Sequence, residues 1–287
     1  MKINLFLFIV ALEALIPSCT AGNRLSKDSI LCAREDSLLT VGLLSRFAGE
    51  GDNPTSELLT AIGMALLGTP YVGQTLENGA AEKLVVNLRE LDCTTFAENC
   101  LALARTIRSE KPGFKQFAGE LEKIRYRQGR RHGYPSRLHY FSDWIYDNRQ
   151  KGLISEPATD FGSPLRVQVN FMSSHPGSYP VLKDHPELVP VLAGQEKTIS
   201  NRCYYFLKKD DVSFREDKLN EGDIVGLTTT IAGLDVAHVG ILIRKNGSIH
   251  LLHASSALKK VVISDEPLSD LLKNKKSYTG IMIARPR

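Results

Sequence analysis

The chain has 287 residues, of which 43% are hydrophobic and 24% are charged, so it can bury one large core or two small ones. The formal net charge of +4 is spread over residues of mixed sign. Basic residues cluster only briefly, in "RYRQGRRHG" at 125–133 and "KNKK" at 273–276, and short runs of this kind usually form a solvated face. These features exclude a disordered chain and argue against nucleic acid as a partner.

Residues 1–21 have the pattern of a secretory signal peptide, in which Lys2 is followed by an apolar stretch over 3–16 and then by small residues. The apolar stretch is too short and too interrupted to span a membrane comfortably. Cleavage after Ala21 and a lipoprotein signal with a lipidated Cys19 both stay open. We therefore expect an exported protein of a bacterial periplasm or cell envelope, with membrane attachment only if the lipid is added.

Two helices are predicted over 37–67, where apolar residues recur at helical spacing. The polar break at 50–57 separates them, and Thr55 or Ser56 is expected to cap the second. A third helix is predicted over 92–107. Its apolar stripe consists of Cys93, Phe96, Cys100, Leu103 and Ile107.

The mature chain, 22–287, is predicted to be a single domain with a long middle insertion around 110–205. Within the insertion a helix is expected over 136–148, and the Pro-rich run at 156–192 is expected to be irregular. The C-terminal part changes period and predicts five short antiparallel strands, "DIVGLTTTI", "VAHVGILIR", "SIHLLHAS", "KVVIS" and "YTGIMIARP". Helices followed by such strands indicate an α+β fold, with a sheet of about five or six strands.

Export would leave four cysteines in an oxidising compartment, where a disulfide between Cys32 and Cys203 stays open. Cys93 and Cys100 are seven residues apart. On one helix that spacing separates them by about 10 Å, beyond the roughly 7 Å limit for a disulfide. No CxxC or HExxH motif occurs, so we expect neither a metal site nor a cofactor. The Cys93 thiol therefore lacks a covalent partner, and Cys100 is expected to be core.

Three histidines fall on two neighbouring predicted strands that the hairpin signal "KNGS" connects. If its Asn-Gly pair forms a two-residue turn, His238 lies opposite Ser255, and His253 is one diagonal step from His238, about 7 Å away. His250 has the opposite parity and points to the other face. A three-residue loop would reverse this parity. The favoured register therefore brings His238 and His253 together.

A thiol and this histidine pair suffice for nucleophilic catalysis. Asp92 is a suitable N-cap, which places Cys93 in the first helical turn, where the macrodipole and a neighbouring histidine favour thiolate. We expect the pKa of Cys93 to fall from about 8.5 to between roughly 3.5 and 7.5. Cys93 would be the nucleophile, His238 the base and His253 its orienting group. The first-turn N–H groups and the Tyr71 hydroxyl would stabilise the oxyanion, and the capping role of Asp92 would limit its repulsion of the thiolate.

Four motifs occur in an order that resembles the NlpC-type peptidoglycan cysteine peptidases, a papain-like superfamily: "GTPYVG", "LDCTTFAEN", "AHVGILI" and "LLHAS". The resemblance implies a helix opened by the nucleophilic cysteine and packed on a small antiparallel sheet. It assigns the nucleophile to Cys93, the base to His238, the orienting group to His253 and the neighbouring tyrosine to Tyr71.

Further segments, "GYPSRLHYFSDWI", "GLDVAHVGI" and "LLHASS", are similar to a narrower branch that was first catalogued as a domain of unknown function and is described as N-acetylmuramoyl-L-alanine amidase-like. The likeness covers about 60–287. It implies cleavage of the amide between muramic acid, in anhydro or reducing form, and L-alanine. Most relatives in the superfamily instead cut between D-glutamate and a diamino acid. The long middle segment and "CTT", where many relatives have "CS", put the specificity rather than the reaction in doubt.

Candidate substrate contacts lie on the middle segment and beside the predicted catalytic strand. Arg137, His139 and Trp144 share the predicted helix, where arginine could meet a carboxylate and an aromatic ring could stack on a sugar. Asp235 precedes the predicted strand that carries His238, and Ser255 faces His238 in the favoured register. The same residues could instead serve packing alone.

Peptidoglycan fragments are the expected partner, and the protein is expected to be a monomer. A γ-D-glutamyl-diamino acid endopeptidase, a non-catalytic muropeptide-binding envelope protein and an acyltransferase remain alternatives to the amidase. Only the enzymes need a thiol that faces an imidazole, so the pattern favours catalysis over binding alone.

Overall fold

Helices come first and most of the antiparallel sheet comes last, in a computed structural model that describes residues 30–77 and 81–287. The predicted signal peptide at 1–21, with Cys19 and Ala21, lies outside these residues. Within the described ranges, no helix has the length and apolar character needed to cross a membrane.

The helices of the described ranges differ widely in length, and the long ones lie mostly in the N-terminal half. They are α1 (Arg34–Arg46), α2 (Thr55–Ala65), α3 (Cys93–Ile107), α4 (Phe114–Arg125), α5 (Phe141–Gln150), α6 (Ala158–Phe161), α7 (Phe171–Ser174), α8 (Pro180–Asp184), α9 (Val189–Ser200) and α10 (Leu268–Asn274). Both helices predicted over 37–67 are present as α1 and α2. The run at 156–192, expected to be irregular, contains the short helices α6 to α8 and the start of α9.

Two predicted helix starts are wrong. Pro54 precedes α2, and Thr55 is already its first helical residue, with its hydroxyl donating to the Arg287 carbonyl at 2.9 Å instead of capping the helix. The helix predicted over 136–148 begins only at Phe141. A 3-10 turn at Tyr134–Ser136 contains Pro135, and the extended backbone of Arg137 at φ −66° and ψ 141° separates that turn from α5.

The strands are β1 (Ile30–Cys32), β2 (Leu84–Val86), β3 (Ile154–Ser155), β4 (Ser163–Leu165), β5 (Tyr204–Lys208), β6 (Ile224–Thr229), β7 (Val236–Lys245), β8 (Ser248–Ser255), β9 (Lys260–Ile263) and β10 (Tyr278–Pro286). The main sheet has the order β4-β5-β10-β6-β7-β8-β9, with β3 also on β10, and every pair in it is antiparallel. Strands β1 and β2 form a separate parallel pair. The five predicted C-terminal strands are all present. The sheet is larger than predicted, with eight strands, because the middle segment contributes β3, β4 and β5.

The hairpin between β7 and β8 has the predicted two-residue turn. Asn246 and Gly247 both have positive φ, +53° and +86°, as a type I′ turn requires. Lys245 therefore pairs with Ser248, and the register continues to Ile241 opposite Leu252. The parity on which the histidine prediction depended is confirmed.

Helix α3 lies at the centre of the helical layer, between α2 and α4 and against β7 and β8. It is buried on nearly every side, so the single predicted stripe was too narrow. Even its Glu98 is buried, and the carboxylate accepts a hydrogen bond from Arg125 at 2.6 Å. Arg125 donates a second bond to the Val85 carbonyl at 2.7 Å. This satisfied pair joins α3 to α4 and β2, and so fixes the helix that carries Cys93.

The middle segment packs into the same core as the ends of the chain. The main hydrophobic cluster runs from Leu44 to Ala284 and includes Trp144, Leu192 and Ile199. A second cluster, which contains Leu227, occupies the other face of the sheet. The insertion therefore forms a wall of the core rather than a separate lobe.

The described cysteines are all free thiols. Cys32 lies in β1 and Cys203 is exposed just before β5, so the disulfide that the sequence left open is not formed. Cys100 is fully buried in the core, as predicted.

Candidate functional site

The first turn of α3 is organised around Asp92. The Asp92 carboxylate accepts a hydrogen bond from the Thr95 N–H at 2.7 Å, and the Thr95 hydroxyl accepts one from the Asp92 N–H at 2.9 Å. This capping box confirms the predicted N-cap and makes Cys93 the first helical residue. Phe96 donates its N–H to the Asp92 carbonyl at 3.0 Å. Among the described residues, the Cys93 N–H is left without an acceptor, which makes it a free donor beside the thiol.

His238 and His253 meet as the register predicted. His238 Nε2 lies 2.6 Å from His253 Nδ1, and the two rings are at 89° with their centroids 4.7 Å apart. His250 has the opposite parity, and its Nδ1 donates to the Ser264 carbonyl at 2.9 Å. The geometry therefore separates a hydrogen-bonded histidine pair from a histidine that is tied to the backbone.

Gly240 makes room for this pair, a role that the sequence analysis missed. A Cβ atom at position 240 would lie 3.1 Å from His253 Cβ and only 2.6 Å from Leu251 Cδ1. Since real Cβ atoms avoid such distances, the position accepts only glycine without a shift of β8. The glycine was visible in the sequence, two residues after His238 in the motif "AHVGILI".

The electrostatics of the free site differ from those predicted. Burial lowers the pKa of His238 to about 3, with further lowering by His253 and Lys275, and burial lowers the pKa of His253 to about 4. Burial also raises the pKa of Cys93 to about 11, and the Asp92 carboxylate adds to this. The predicted lowering of the Cys93 pKa is therefore wrong, because burial and the Asp92 charge outweigh the hydrogen bonds that the sulfur receives from Val239 and Thr94. The free site holds a neutral thiol and two neutral imidazoles.

A cavity of about 180 Å³ opens beside Cys93 and His238. Its wall is mainly aromatic and aliphatic and includes Leu138, His139, Tyr140, Phe141, Trp144, Met172, Tyr179, Leu234 and Val236. Phe141 and Trp144 are stacked, with centroids 5.5 Å apart and planes at 8°. The Trp144 indole N–H is buried and has no acceptor among the described residues. The cavity therefore offers a mainly apolar, aromatic wall.

Arg137 does not belong to this cavity and is not on a helix with His139 and Trp144. Its guanidinium is bound by Glu77 at 2.7 Å and Glu82 at 2.8 Å. With only 6% of the residue exposed, it serves to tie the segment before α5 to the loop before β2. The predicted contact of Arg137 with a substrate carboxylate is therefore wrong, because two protein carboxylates already occupy its guanidinium.

His139 and Trp144 both line the cavity, although only Trp144 is helical. His139 Nε2 lies 3.1 Å from the Tyr134 carbonyl, and burial, with the nearby Arg137 charge, lowers its pKa to about 3. His139 is thus a neutral ring that donates to the backbone. Both residues can contact a ligand by their faces, whereas neither supplies charge.

Asp235 and Ser255 have clear structural partners. The buried Asp235 carboxylate lines the cavity and accepts the N–H groups of Ser142 at 2.6 Å and Val236 at 2.8 Å, so it caps the start of α5. Ser255 accepts the Leu258 N–H at 3.1 Å and shapes the turn into β9. Continuing the observed register would place Ser255 opposite His238, but the side chain serves the turn.

Tyr71 and three residues that the sequence analysis missed surround the other side of Cys93. Burial raises the pKa of Tyr71 to about 12, and the charges of Cys93 and Asp92 contribute. Burial, followed by the Cys93 charge, also raises the pKa of Tyr278. Lys259 lies 5.8 Å from the Tyr71 ring centroid, and Lys275 lies 5.8 Å from that of Tyr278. Two tyrosine–lysine pairs therefore accompany the thiol.

The described residues contain no group of three or more His, Cys, Asp or Glu side chains arranged to hold a metal ion. The groups that the site brings together are a thiol, two imidazoles and hydrogen-bond donors.

Comparison with known proteins identifies the family. The sequence model of the N-acetylmuramoyl-L-alanine amidase-like family matches residues 61–281, which is most of the chain. The chain belongs to this family. The match runs from α2 into β10, so the amidase-like region includes Cys93, both paired histidines and the whole middle segment.

Solved structures give the same relationship. An N-acetylmuramoyl-L-alanine amidase from Bacteroides uniformis is 38% identical with a TM-score of 0.77, and the alignment covers 81% of this chain and 99% of that one. A Bacteroides fragilis protein with a provisional xylanase name is 41% identical with a TM-score of 0.75, covering 79% and 99%. A Legionella pneumophila protein at 18% identity and a TM-score of 0.62, covering 88% and 93%, shares the fold. A search of the curated proteins found no match.

Proposed function

We propose that this member of the amidase-like family is a cysteine amidase that cleaves the amide between N-acetylmuramic acid and L-alanine in peptidoglycan fragments. One observation carries the proposal. Cys93 and His238 line one cavity, and the Nε2 atom of His238 is hydrogen-bonded to His253 at 2.6 Å. A non-catalytic binding protein has no need of a thiol beside a pair of oriented imidazoles.

The hydrogen bond between the histidines defines the tautomer that acylation needs. If His238 Nε2–H donates to His253 Nδ1, the other nitrogen of His238 is unprotonated and can accept the thiol proton. Because thiol and imidazole are both neutral in the free site, the proton moves as the sulfur attacks the carbonyl carbon. The developing oxyanion is met by the Cys93 N–H and, beside it, the Tyr71 hydroxyl.

Collapse of the tetrahedral intermediate breaks the C–N bond. The proton on His238 passes to the leaving amine of L-alanine, and a thioester between Cys93 and the lactyl carbonyl remains. Water then attacks the thioester while His238 takes one of its protons, and collapse of the second tetrahedral intermediate breaks the C–S bond as His238 returns that proton to the sulfur. The products are the lactyl carboxylic acid and the free thiol, so the enzyme returns to its starting state.

The cavity suits the acyl side of this amide. An N-acetylmuramoyl group is uncharged, because its amino group is acetylated and its lactyl carboxyl is part of the amide, and the cavity has no charged side chain on its wall apart from the capped Asp235. The aromatic side chains in the wall, Phe141 and Trp144 among them, suit the apolar face of a sugar or a methyl group. We place this activity in the periplasm or cell envelope on the predicted signal peptide.

The test is mass spectrometry of purified muropeptides after digestion. The expected products are the free sugar acid and a stem peptide with a free L-alanine amino terminus. Cys93→Ala should abolish release, while Cys203→Ala, which removes an exposed free thiol, should leave it unchanged. Release of a free diamino acid terminus would show an endopeptidase instead. Undiminished turnover by Cys93→Ala would remove Cys93 as the nucleophile.

A further inference from the structure

Two lysines beside the nucleophile have no acidic partner in the described part of the chain. Lys259 and Lys275 are both exposed, and neither forms an ion pair with any residue in 30–77 or 81–287. Each holds its ammonium group over a tyrosine ring at 5.8 Å, Lys259 over Tyr71 and Lys275 over Tyr278. A cation placed on an aromatic face is partly fixed in direction while its charge stays unneutralised.

The backbone holds Lys259 close to Cys93. The Lys259 carbonyl accepts the Tyr71 N–H at 2.9 Å, and Tyr71 forms a β-bridge with Leu91, which is two residues before Cys93. Lys259 also has a φ of +58°, a left-handed conformation that costs energy for a residue with a side chain. The turn is held in this form by Ser255, which accepts the Leu258 N–H. Ser255 thus affects the site indirectly, by positioning Lys259.

The second lysine is on the His238 side of the site. Lys275 follows α10, and its carbonyl accepts the Tyr278 N–H at 3.1 Å. Tyr278 pairs with Thr229 at the end of β6, next to the end of β7 that carries His238. The Lys275 charge is near enough to lower the pKa of His238, after burial and His253. The two lysines therefore accompany Cys93 and His238 respectively.

The lysines and the aromatic cavity divide the site by charge. Neither lysine–tyrosine pair lines the cavity, although Cys93 and His238 do. A muramoyl peptide is divided in the same way about its first amide, since the sugar and lactyl group are neutral and the stem peptide carries the glutamate carboxylates. A substrate with its neutral half in the cavity directs its anionic half away from it.

We propose that Lys259 and Lys275 bind the carboxylates of the stem peptide, and so select an anionic leaving group and set the direction in which the substrate lies across Cys93. This inference rests on the proposed amidase function. The Asp92 carboxylate, beside Cys93, opposes an anionic group there, but it is engaged by the N–H and hydroxyl of Thr95. The lysines are specificity residues that contact the leaving group rather than the reacting atoms.

The experiment compares N-acetylmuramoyl-L-alanyl-D-glutamate with the same compound in which both glutamate carboxyls are amidated. The double variant Lys259→Met/Lys275→Met keeps the aliphatic stems and removes both charges. Its matched control, Lys260→Met/Lys276→Met, removes the exposed lysine that follows each of them in the sequence and changes the net charge equally. Wild type should prefer the acid about tenfold in KM, with kcat little changed, since exposed ion pairs are individually weak. The preference should disappear in the double variant and persist in the control.

Binding separates this inference from the proposed function. In the Cys93→Ala background, calorimetry with the same two compounds should show the same preference for the acid and the same loss in the double lysine variant. If wild type cleaves neither compound, the amidase proposal fails while the binding preference still tests the lysines. A preference that survives in the double variant, that falls equally in the control, or that is absent from Cys93→Ala overturns the inference.

Discussion

Gly240→Ala tests whether the histidine pair depends on the space that glycine leaves. The new methyl group would be placed 2.6 Å from Leu251 Cδ1, 2.7 Å from Leu251 Cγ and 3.1 Å from His253 Cβ. Leu251 is fully buried, so it has little freedom to retreat, and β8 must shift instead. A shift of β8 would move the His253 ring, which is hydrogen-bonded to His238.

Overpacking of this kind costs about 1–3 kcal/mol, and a displacement of about 1 Å at a catalytic group can lower the rate about 10²-fold. We expect Gly240→Ala to lower the melting temperature measurably and to reduce kcat by about 10²-fold on muropeptides. Gly119→Ala is the matched control. Gly119 is in α4 and has open space where the methyl group would go, so this change should be neutral or stabilising.

A Gly240→Ala protein that is destabilised but keeps full activity would refute the reasoning. That result would mean that His253 either does not move with Leu251 or does not orient His238. A loss of activity without any loss of stability would instead indicate that the alanine methyl obstructs the substrate directly.

The remaining predictions concern Cys93 and the three histidines of β7 and β8. His253→Ala should lower kcat by about 10²-fold or more at unchanged fold, whereas His250→Ala should mainly lower stability, and the reverse ranking in rate and melting assays would contradict the register. Alkylation of Cys93 by iodoacetamide, followed by peptide mass spectrometry, should accelerate with pH towards about 11, since burial raises its pKa, and a plateau near pH 5 would contradict a neutral thiol. Burial lowers the pKa values of His238 and His253 in the folded protein to about 3 and 4, whereas an unperturbed histidine has a pKa of about 6.5. Below pH 6.5 the unfolded chain therefore binds more protons than the folded protein does. The free energy of unfolding, measured with urea, should therefore have its full value above about pH 6.5 and fall as the pH drops towards 3. A free energy of unfolding that rises on acidification over this range would count against the buried neutral pair.

The sequence predicted the histidine pair because local rules decide it. The Asn-Gly turn fixes the parity of β7 and β8, and parity decides which histidines share a face. The cap at Asp92 was predictable for the same reason, since it involves residues three positions apart. These features depend on short stretches of chain.

What could not be predicted depends on distant parts of the chain meeting. Nothing near Arg137 indicates that Glu77 and Glu82, some 55–60 residues earlier, will occupy its guanidinium. The raised pKa of Cys93 likewise follows from enclosure by elements far apart in sequence. Strand β4 was hidden because it is three residues long and contains Pro164, which is unusual within a strand.

The hydrogen bond from the Ser142 N–H to Asp235 has a consequence for how this protein can change. Asp235 stands immediately before β7, and Ser142 lies in the first turn of α5, the helix that carries the aromatic wall. A bridge between Val169 and Gly233 fastens the middle segment to the same loop a second time. The insertion cannot be shortened or exchanged as an independent module, because removing it would also release the end of β7. On the proposed function, recognition of the sugar and the positioning of His238 are therefore coupled, and variants selected for a change in one will carry changes in the other.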